Sequence, residues 1–306
     1  MKNKALLLFL PLLLLGCGSN TEPVVENTPT SGNLTVYYDE GLTEHVVNQA
    51  YTFEALYPKV NLSLVATSED AAVAALYNDS CESIVIARDL TQKEKSAFAS
   101  KKYSTYHSIV ARTGVAVLVN SSSPLRCATK QQLIAFLKEA KALSDSVGKP
   151  LLPEIIFDAP NSGVLHYMID TVVKSKTLAV PAKVAKNSRD ALQYVAEHQT
   201  AMTFIDFACI SDKDSKMWKD YASKIKLLPL ANAGDSIYEP PHQSSFKLGT
   251  YPLTRGIYVH RKQGDHSLAK GFESFVMGPK GQIIFLKQGL LPEKQQERSV
   301  HINIEQ

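Results

Sequence analysis

A short stretch in the middle of the sequence combines residue types that bind small anions. Asp158, Asn161, Ser162 and Gly163 follow the apolar run 155–157, and apolar residues then recur at helical spacing. The pattern predicts a strand, a tight turn and a helix with Ser162 as its N-cap. Because the first N–H groups of a helix lack intrahelical partners and lie at the positive end of the dipole, such a turn favours a small oxyanion. An ordinary capped helix in an α/β domain is the alternative interpretation.

Polar residues follow other predicted strands as well. Arg88 ends the apolar run 84–87, where its charge needs a partner. A guanidinium there either grips an oxyanion in bidentate fashion or forms a salt bridge with Asp89 or Glu82. Ser68 follows another strand and is predicted to cap a helix, with ligand contact as a second role.

Catalytic chemistry has weaker support in the sequence. Ser162 and His166 are spaced i, i+4 and form the best nucleophile–base pair, but no orienting acid accompanies them. The adjacent acids Asp39 and Glu40 are expected to point apart, one of them capping the helix that follows. The sequence contains no G-x-S-x-G, H-E-x-x-H or Walker phosphate loop. No catalytic residue is therefore assigned.

Strands and helices alternate along most of the chain, which predicts parallel sheets covered by helices. Ligands of such sheets bind at the carboxyl ends of strands, where the polar residues above are expected. A chain of this length exceeds one usual core and predicts two lobes. The apolar runs 108–120 and 253–260 are the predicted connections between them.

The N-terminus resembles the export signal of a bacterial lipoprotein. Lys2 and Lys4 precede an apolar run at 5–15, and Gly16-Cys17 follow. We expect residues 1–16 to be a signal peptide, Cys17 to be lipidated and 17–32 to form a flexible tether. A plain secretory signal with an incidental Cys17 is the alternative. Either predicts a domain in the cell envelope, facing the periplasm or the exterior.

Composition narrows the range of partners. The formal charge of +3 falls to +1 once Lys2 and Lys4 are removed, which argues against a nucleic-acid partner. The other cysteines, Cys81, Cys127 and Cys209, have no C-x-x-C spacing. They are expected to be buried thiols, with a disulfide between two of them left open. No metal site and no cofactor are predicted.

Four segments together resemble the phosphate-binding family of solute-binding proteins of bacterial ABC transporters. The resemblance covers about residues 33–292. The segments share their order and spacing with that family, and they are Thr35–Leu42, Asn78–Thr91, Phe157–Gly163 and Tyr251–Pro292.

The resemblance implies an α/β fold of the periplasmic-binding-protein type II class. Each of its two lobes holds a mixed, mostly parallel sheet flanked by helices, and a two-strand hinge joins the lobes. The implied limits are 33–114 plus 262–306 for lobe 1 and 115–261 for lobe 2. It also implies a monomer that carries inorganic phosphate, or a similar oxyanion, to an ABC permease.

The resemblance further implies a set of ligand-binding residues on both lobes. They comprise backbone donors, hydroxyls, an arginine and an acid, namely Gly41, Leu42, Ser68, Arg88, Asp158, Asn161, Ser162 and Gly163. Three features depart from the family. Val164 stands where Thr is usual, His166 lies near a usually basic position, and Arg88 and Asp158 exchange the usual sides of acid and arginine.

These observations leave three hypotheses. The first is a lipid-anchored receptor for phosphate or a similar oxyanion. The second is a degenerate clamp that acts as a sensing or interaction lipoprotein, which Val164 and the exchanged charges favour over an enzyme. The third is an esterase- or phosphatase-type enzyme using Ser162 and His166.

Overall fold

Alternating strands and helices build one continuous mixed sheet with helices packed against it. The computed structural model describes residues 27–262 and 264–294. The predicted signal peptide, Cys17 and most of the tether lie outside the described residues. Within the described ranges, no helix has the length and apolar character needed to cross a membrane.

The strands follow the predicted alternation, with several two-residue pairings added in loops. They are β1 (Gly32–Asp39), β2 (Val60–Thr67), β3 (Ser83–Ile86), β4 (Tyr106–Asn120), β5 (Ala128–Thr129), β6 (Leu143–Ser144), β7 (Pro150–Leu151), β8 (Glu154–Phe157), β9 (Ala182–Val184), β10 (Ala201–Asp206), β11 (Ile225–Leu227), β12 (Leu230–Ala231), β13 (Thr254–Arg261) and β14 (Leu291–Pro292).

The helices lie between these strands. They are α1 (Thr43–Leu56), α2 (Glu69–Tyr77), α3 (Gln92–Ser100), α4 (Lys130–Glu139), α5 (Gly163–His166), α6 (Ser188–Glu197), α7 (Ala208–Ser211), α8 (Lys216–Tyr221), α9 (Gln243–Leu248), α10 (Leu268–Val276) and α11 (Pro279–Lys287). A 3-10 turn at Glu40–Leu42 precedes α1, and a π-helical segment at Tyr167–Val173 continues α5.

The main sheet consists of two parallel groups joined by antiparallel strands. Its order is β2-β1-β3-β13-β4-β10-β8-β9, with β11 and β14 also paired to β4. The pairs β1–β2, β1–β3, β8–β10 and β8–β9 are parallel. Both β3 and β10 are buried along their whole length, as expected of parallel strands covered on both faces.

The long apolar run 108–120 lies in β4, which connects the two groups. Residues 106–114 of β4 pair with β13, and residues 115–119 pair with β10. At the point of change, the Val115 N–H donates to the Leu253 carbonyl at 2.9 Å. The whole of β13 lies beside β3 and the first part of β4. This pairing favours a second crossing near residue 253 rather than at 261, while the lobe limits themselves stay predictions.

Helix starts agree with the predicted caps. The Ser68 hydroxyl accepts a hydrogen bond from the Ala71 N–H, and the Ser162 hydroxyl accepts one from the Leu165 N–H. Asp39 caps the 3-10 turn by accepting from the Gly41 N–H. These bonds satisfy amides that have no partner inside the helix, and they fix the chain direction at three strand ends.

Candidate functional site

Polar side chains from both parallel groups meet at the carboxyl ends of the strands. Asp39 ends β1, Asp158 follows β8 and Asp206 ends β10, while Glu69 opens the helix that follows β2. Arg255 joins them from β13, which runs in the opposite direction. This is the edge at which an α/β sheet is expected to bind its ligand.

The carboxylate of Glu69 lies at the centre of this cluster. Its Oε1 accepts from Arg255 Nη2 at 2.6 Å and from the Ala87 N–H at 3.1 Å. Its Oε2 lies 3.2 Å from Arg88 Nε. The residue is 1% exposed, so this negative charge is withdrawn from water and is held by protein donors.

The same carboxylate contacts the opposite group of strands at Gly163. A Cβ built on Gly163 would lie 2.3 Å from Cδ of Glu69. Gly163 is the first residue of the helix that Ser162 caps. The carboxylate of Glu69 therefore occupies the helix start at which the sequence predicts an oxyanion.

Substitution of Gly163 tests this close packing. We expect Gly163→Ala to lower the free energy of unfolding by about 1–3 kcal/mol, since the added methyl group overpacks against Glu69. In a Glu69→Ala background the same change should cost much less, because contacting residues couple. Chemical denaturation of the two single variants and the double variant measures the coupling, and an additive result would contradict the contact.

Arg255 is the buried cation of the site. Its Nη1 lies 3.1 Å from Asp206 Oδ2, and its guanidinium lies 5.3 Å from the ring centre of Tyr167. Asp206 also accepts from the Thr113 hydroxyl at 2.5 Å and from the Ala208 N–H at 2.9 Å. The Arg255 Nε is buried and has no hydrogen-bond partner among the described residues. The Nε–H of Arg255 is therefore a hydrogen-bond donor that remains available next to the Glu69 carboxylate.

Acids outnumber cations in this site. Asp39, Glu69, Asp158 and Asp206 are all buried, whereas Arg255 is the fully buried cation and Arg88 is partly exposed. Burial raises the pKa of Asp39 well above its ordinary value, and the Glu69 charge raises it further. Burial likewise raises the pKa of Asp206, against the opposing effect of Arg255. The site consequently favours bound protons and can offer carboxylic acid donors as well as acceptors.

Asp158 holds the capping serine in place. The Ser162 hydroxyl donates to Asp158 Oδ1 at 2.5 Å, and the Ala159 N–H donates to the same oxygen at 3.0 Å. Burial raises the pKa of Asp158 to about 7 despite these two bonds, and Asp206 raises it slightly further. A group of this kind can exchange a proton with a bound acidic oxyanion near neutral pH.

This shift predicts a pH dependence of stability. The pKa of Asp158 is about 7 when folded against an ordinary value of 3.8, so the folded chain keeps a proton that the unfolded chain releases between those values. The contribution is fully present below about pH 4 and is lost as pH rises through 7, on the order of 3–4 kcal/mol. We expect Asp158→Asn to flatten this fall in denaturant titrations at pH 5 and 8. The exposed Asp170→Asn serves as the control, and an unchanged slope in Asp158→Asn would refute the assignment.

Arg88 is engaged by acids of its own group of strands. It forms salt bridges with Glu69, with Asp70 at 2.9 Å and with Glu94 at 2.9 Å, and it donates to the Asp89 carbonyl. Two of its nitrogens meet the two Glu94 oxygens in bidentate fashion. These acids take the place of the Asp89 carboxylate proposed from the sequence, because the helix starts at Glu69 and Gln92 bring them nearer to the guanidinium. The predicted oxyanion grip is thus made on protein carboxylates.

The remaining predicted residues differ in their access to the centre. Gly41 and Leu42 are buried in the 3-10 turn, where the Gly41 N–H already donates to Asp39. Ser68 caps α2 one residue before Glu69. Asn161 is exposed and adopts a left-handed backbone with φ of 59°, which lets the chain turn into the helix. The structure therefore brings Arg88 and Gly163 together through Glu69.

Ser162 and His166, the nucleophile–base pair considered from the sequence, each contact a different acid. The Ser162 hydroxyl donates to Asp158, and His166 Nδ1 lies 3.3 Å from Asp70 Oδ2. The three described cysteines are free thiols, so the disulfide left open is not formed. Cys209 lies beside the site, where its thiol donates to the Gly41 carbonyl at 3.4 Å.

Three central residues were not predicted to bind ligand. They are Glu69, Asp206 and Arg255, which lie outside the set of ligand-binding residues expected from the sequence. The sequence signal that marks them is a charged residue beside an apolar strand, as in Phe204-Ile205-Asp206 and Leu253-Thr254-Arg255. Charges in such positions need a buried partner.

Comparisons with known proteins agree with this architecture. The family model of the PBP superfamily domain matches residues 24–280. The phosphate-binding protein PstS of Pseudomonas aeruginosa is 22% identical over 282 residues, covering 86% of this chain and 83% of that protein. The name of that relative describes a binding protein and no catalytic activity.

Solved structures share the fold at lower identity. A Clostridium perfringens protein crystallised with phosphate superposes with a TM-score of 0.69 at 16% identity, covering 86% of this chain and 100% of that one. An ABC-type phosphate transport receptor from Vibrio cholerae gives 0.65 at 16% identity, with 85% and 100% covered. The predicted two-lobed α/β fold and the resemblance to phosphate-binding proteins of ABC transporters are confirmed.

Proposed function

Since the chain belongs to the PBP superfamily, we propose that it is a solute-binding protein for phosphate or a similar small oxyanion. The ligand would bind where the carboxyl ends of the two parallel groups meet and would then be delivered to an ABC permease. The relatives named above carry phosphate binding or phosphate transport in their descriptions, which supports this substrate class.

The position of Glu69 is the observation that carries the proposal. A carboxylate and a phosphate both present oxygen acceptors to guanidinium groups, backbone amides and helix starts. Here Arg255, the Ala87 N–H and Gly163 surround one carboxylate that 1% exposure isolates from solvent. The site is thus built to hold an oxyanion, and the protein's own Glu69 takes that place.

Ligand binding on this model is an exchange of one oxyanion for another. Opening between the two groups would release Glu69 from Gly163 while leaving it attached to the first group through α2. An incoming anion would then take over Arg255 and its spare Nε donor. Asp158, with its raised pKa, would accept or supply the proton that distinguishes the forms of phosphate.

Anchoring and partners follow from the sequence. We propose that Cys17 carries a lipid, that residues 17–32 tether the domain to a bacterial membrane and that it acts as a monomer. A tether of this composition lets the domain reach a neighbouring permease without fixing its orientation. Mass spectrometry of the processed chain tests lipidation, because a mature N-terminus at any residue other than Cys17 would refute it.

Calorimetric titration with phosphate, sulfate and molybdate tests the ligand. We expect the processed chain to bind phosphate, and Ser162→Ala and Arg88→Ala to weaken it by about 1–3 kcal/mol each, because each removes a polar partner of the site. Val184→Ala, on an exposed edge strand, is the control. Equal affinity in all three variants would place the anion elsewhere.

The internal carboxylate also favours the second hypothesis, a degenerate clamp that senses or docks without carrying an anion. Such a protein would stay closed on Glu69 permanently. Titration decides between the two, since a degenerate clamp gives no heat with any of the three anions even after Glu69 is neutralised.

A further inference from the structure

A cluster of potential metal-ligating side chains lies on β4 and β13 and on the loop after β3. One ligand atom from each of Asp89, His107 and His260 lies within 4.8 Å of the others, and no other such trio occurs among the described residues. His107 on β4 and His260 on β13 are directly paired across the antiparallel ladder. Directly opposed residues share a sheet face with their Cβ atoms about 5 Å apart, which is the spacing of a two-histidine chelate.

The ring of His260 is held in an orientation suited to a ligand. Its Nε2 lies 3.2 Å from the Arg88 carbonyl, which can only accept, so Nε2 is the donor and the lone pair falls on Nδ1. The residue is 0% exposed, and Nδ1 has no hydrogen-bond partner among the described residues. A buried acceptor without a partner is costly, and a metal ion would satisfy it. A backbone carbonyl on the second nitrogen is the usual support of a metal-bound histidine.

We propose that Asp89, His107 and His260 bind a divalent transition metal ion of the Zn²⁺ class. Two imidazoles and one carboxylate are ligands that Zn²⁺ accepts, with a fourth position left for water. His107 is exposed, so the ion can enter from solvent. The loop after β3 carries both Arg88 and Asp89. The proposed metal ligand Asp89 is therefore the neighbour in sequence of Arg88, which contacts Glu69.

Two groups already contact Asp89. Its Oδ2 lies 2.6 Å from Lys95 Nζ, and its Oδ1 accepts from the Leu90 N–H at 2.7 Å. A carboxylate has about four lone-pair directions, so both oxygens retain acceptor capacity. The Lys95 ammonium is nevertheless a competing cation. Removal of the Lys95 ammonium is expected to strengthen metal binding, whereas removal of a lysine that does not contact Asp89 is not.

Titration of the processed chain with ZnCl₂ in phosphate-free buffer tests the proposal. We expect one equivalent to bind, His107→Ala to weaken binding at least about 10-fold and Lys95→Met to strengthen it. His198→Ala is the control, because His198 is exposed on another part of the molecule. His107 is also exposed, so its variant is expected to fold.

A spectroscopic readout separates the site from adventitious binding. Co²⁺ bound by two imidazoles and a carboxylate should give the visible absorption of a four-coordinate ion, lost in His107→Ala and kept in His198→Ala. Unchanged Zn²⁺ affinity in His107→Ala, or equal losses in both histidine variants, would overturn the proposal. These measurements need no anion and stand whatever the phosphate titration gives.

Discussion

Replacement of Arg255 by methionine is expected to abolish oxyanion binding and to destabilise the fold. Arg255 contacts both Glu69 and Asp206, at 2.6 and 3.1 Å. Burial alone would lower the pKa of Arg255, but Glu69 and then Asp206 raise it, so the guanidinium stays charged. Its loss leaves buried carboxylates without their cation, which costs about 3–5 kcal/mol in the free energy of unfolding. Two charge-assisted bonds to the anion are also lost, which corresponds to at least about 100-fold in affinity.

Denaturant unfolding and phosphate calorimetry of the same preparations measure both effects. Arg112→Met is the matched control, since Arg112 lies opposite Gly256 in the ladder, beside Arg255, yet its side chain is 39% exposed and pairs with Glu293. Arg255→Lys keeps the positive charge but not the planar guanidinium with its paired N–H donors. We expect it to preserve the free energy of unfolding better than it preserves the affinity for phosphate. A methionine variant as stable as Arg112→Met would show that the cluster is not held by this cation.

The architecture could be predicted from the sequence because its signals are local. The apolar run before Asp158, the cap at Ser162 and the alternation of strands with helices each depend on residues close in the chain. The long apolar run 108–120 likewise predicted the strand β4, which pairs with both groups and changes partner at Val115. Short-range patterns therefore gave the fold and one half of the site.

The centre of the site could not be predicted in the same way. Glu69 and Arg255 are 186 residues apart, and the parallel and antiparallel pairings of the strands β2-β1-β3-β13 bring them together. In sequence, Glu69 is indistinguishable from Asp70, its neighbour in the first turn of α2. In the structure one is 1% exposed and the other is 55% exposed at its side chain. Burial of a charge is a property of the assembled sheet, not of a window of residues.

The exchange model makes its sharpest prediction at Glu69. Neutralisation by Glu69→Gln is expected to raise the affinity for phosphate by about 100- to 1000-fold. The variant keeps the size of the side chain but removes its negative charge. In the parent, the Glu69 carboxylate must be displaced by phosphate, and it then stays close enough to repel the bound anion. Two unit charges 4 Å apart repel by about 4 kcal/mol at an effective dielectric constant of 20, which sets the upper figure.

Asp70→Asn provides the matched control, because Asp70 is the adjacent acid and also pairs with Arg88, but from an exposed position. Its phosphate affinity should stay within a few-fold of the parent. Loss of affinity in Glu69→Gln would instead make Glu69 a ligand that accepts a hydrogen bond from phosphate. If neither variant bound any of the three anions, the result would favour the degenerate clamp. The sign of the change at a single buried carboxylate thus separates an internal competitor, a ligand and a clamp that no longer opens.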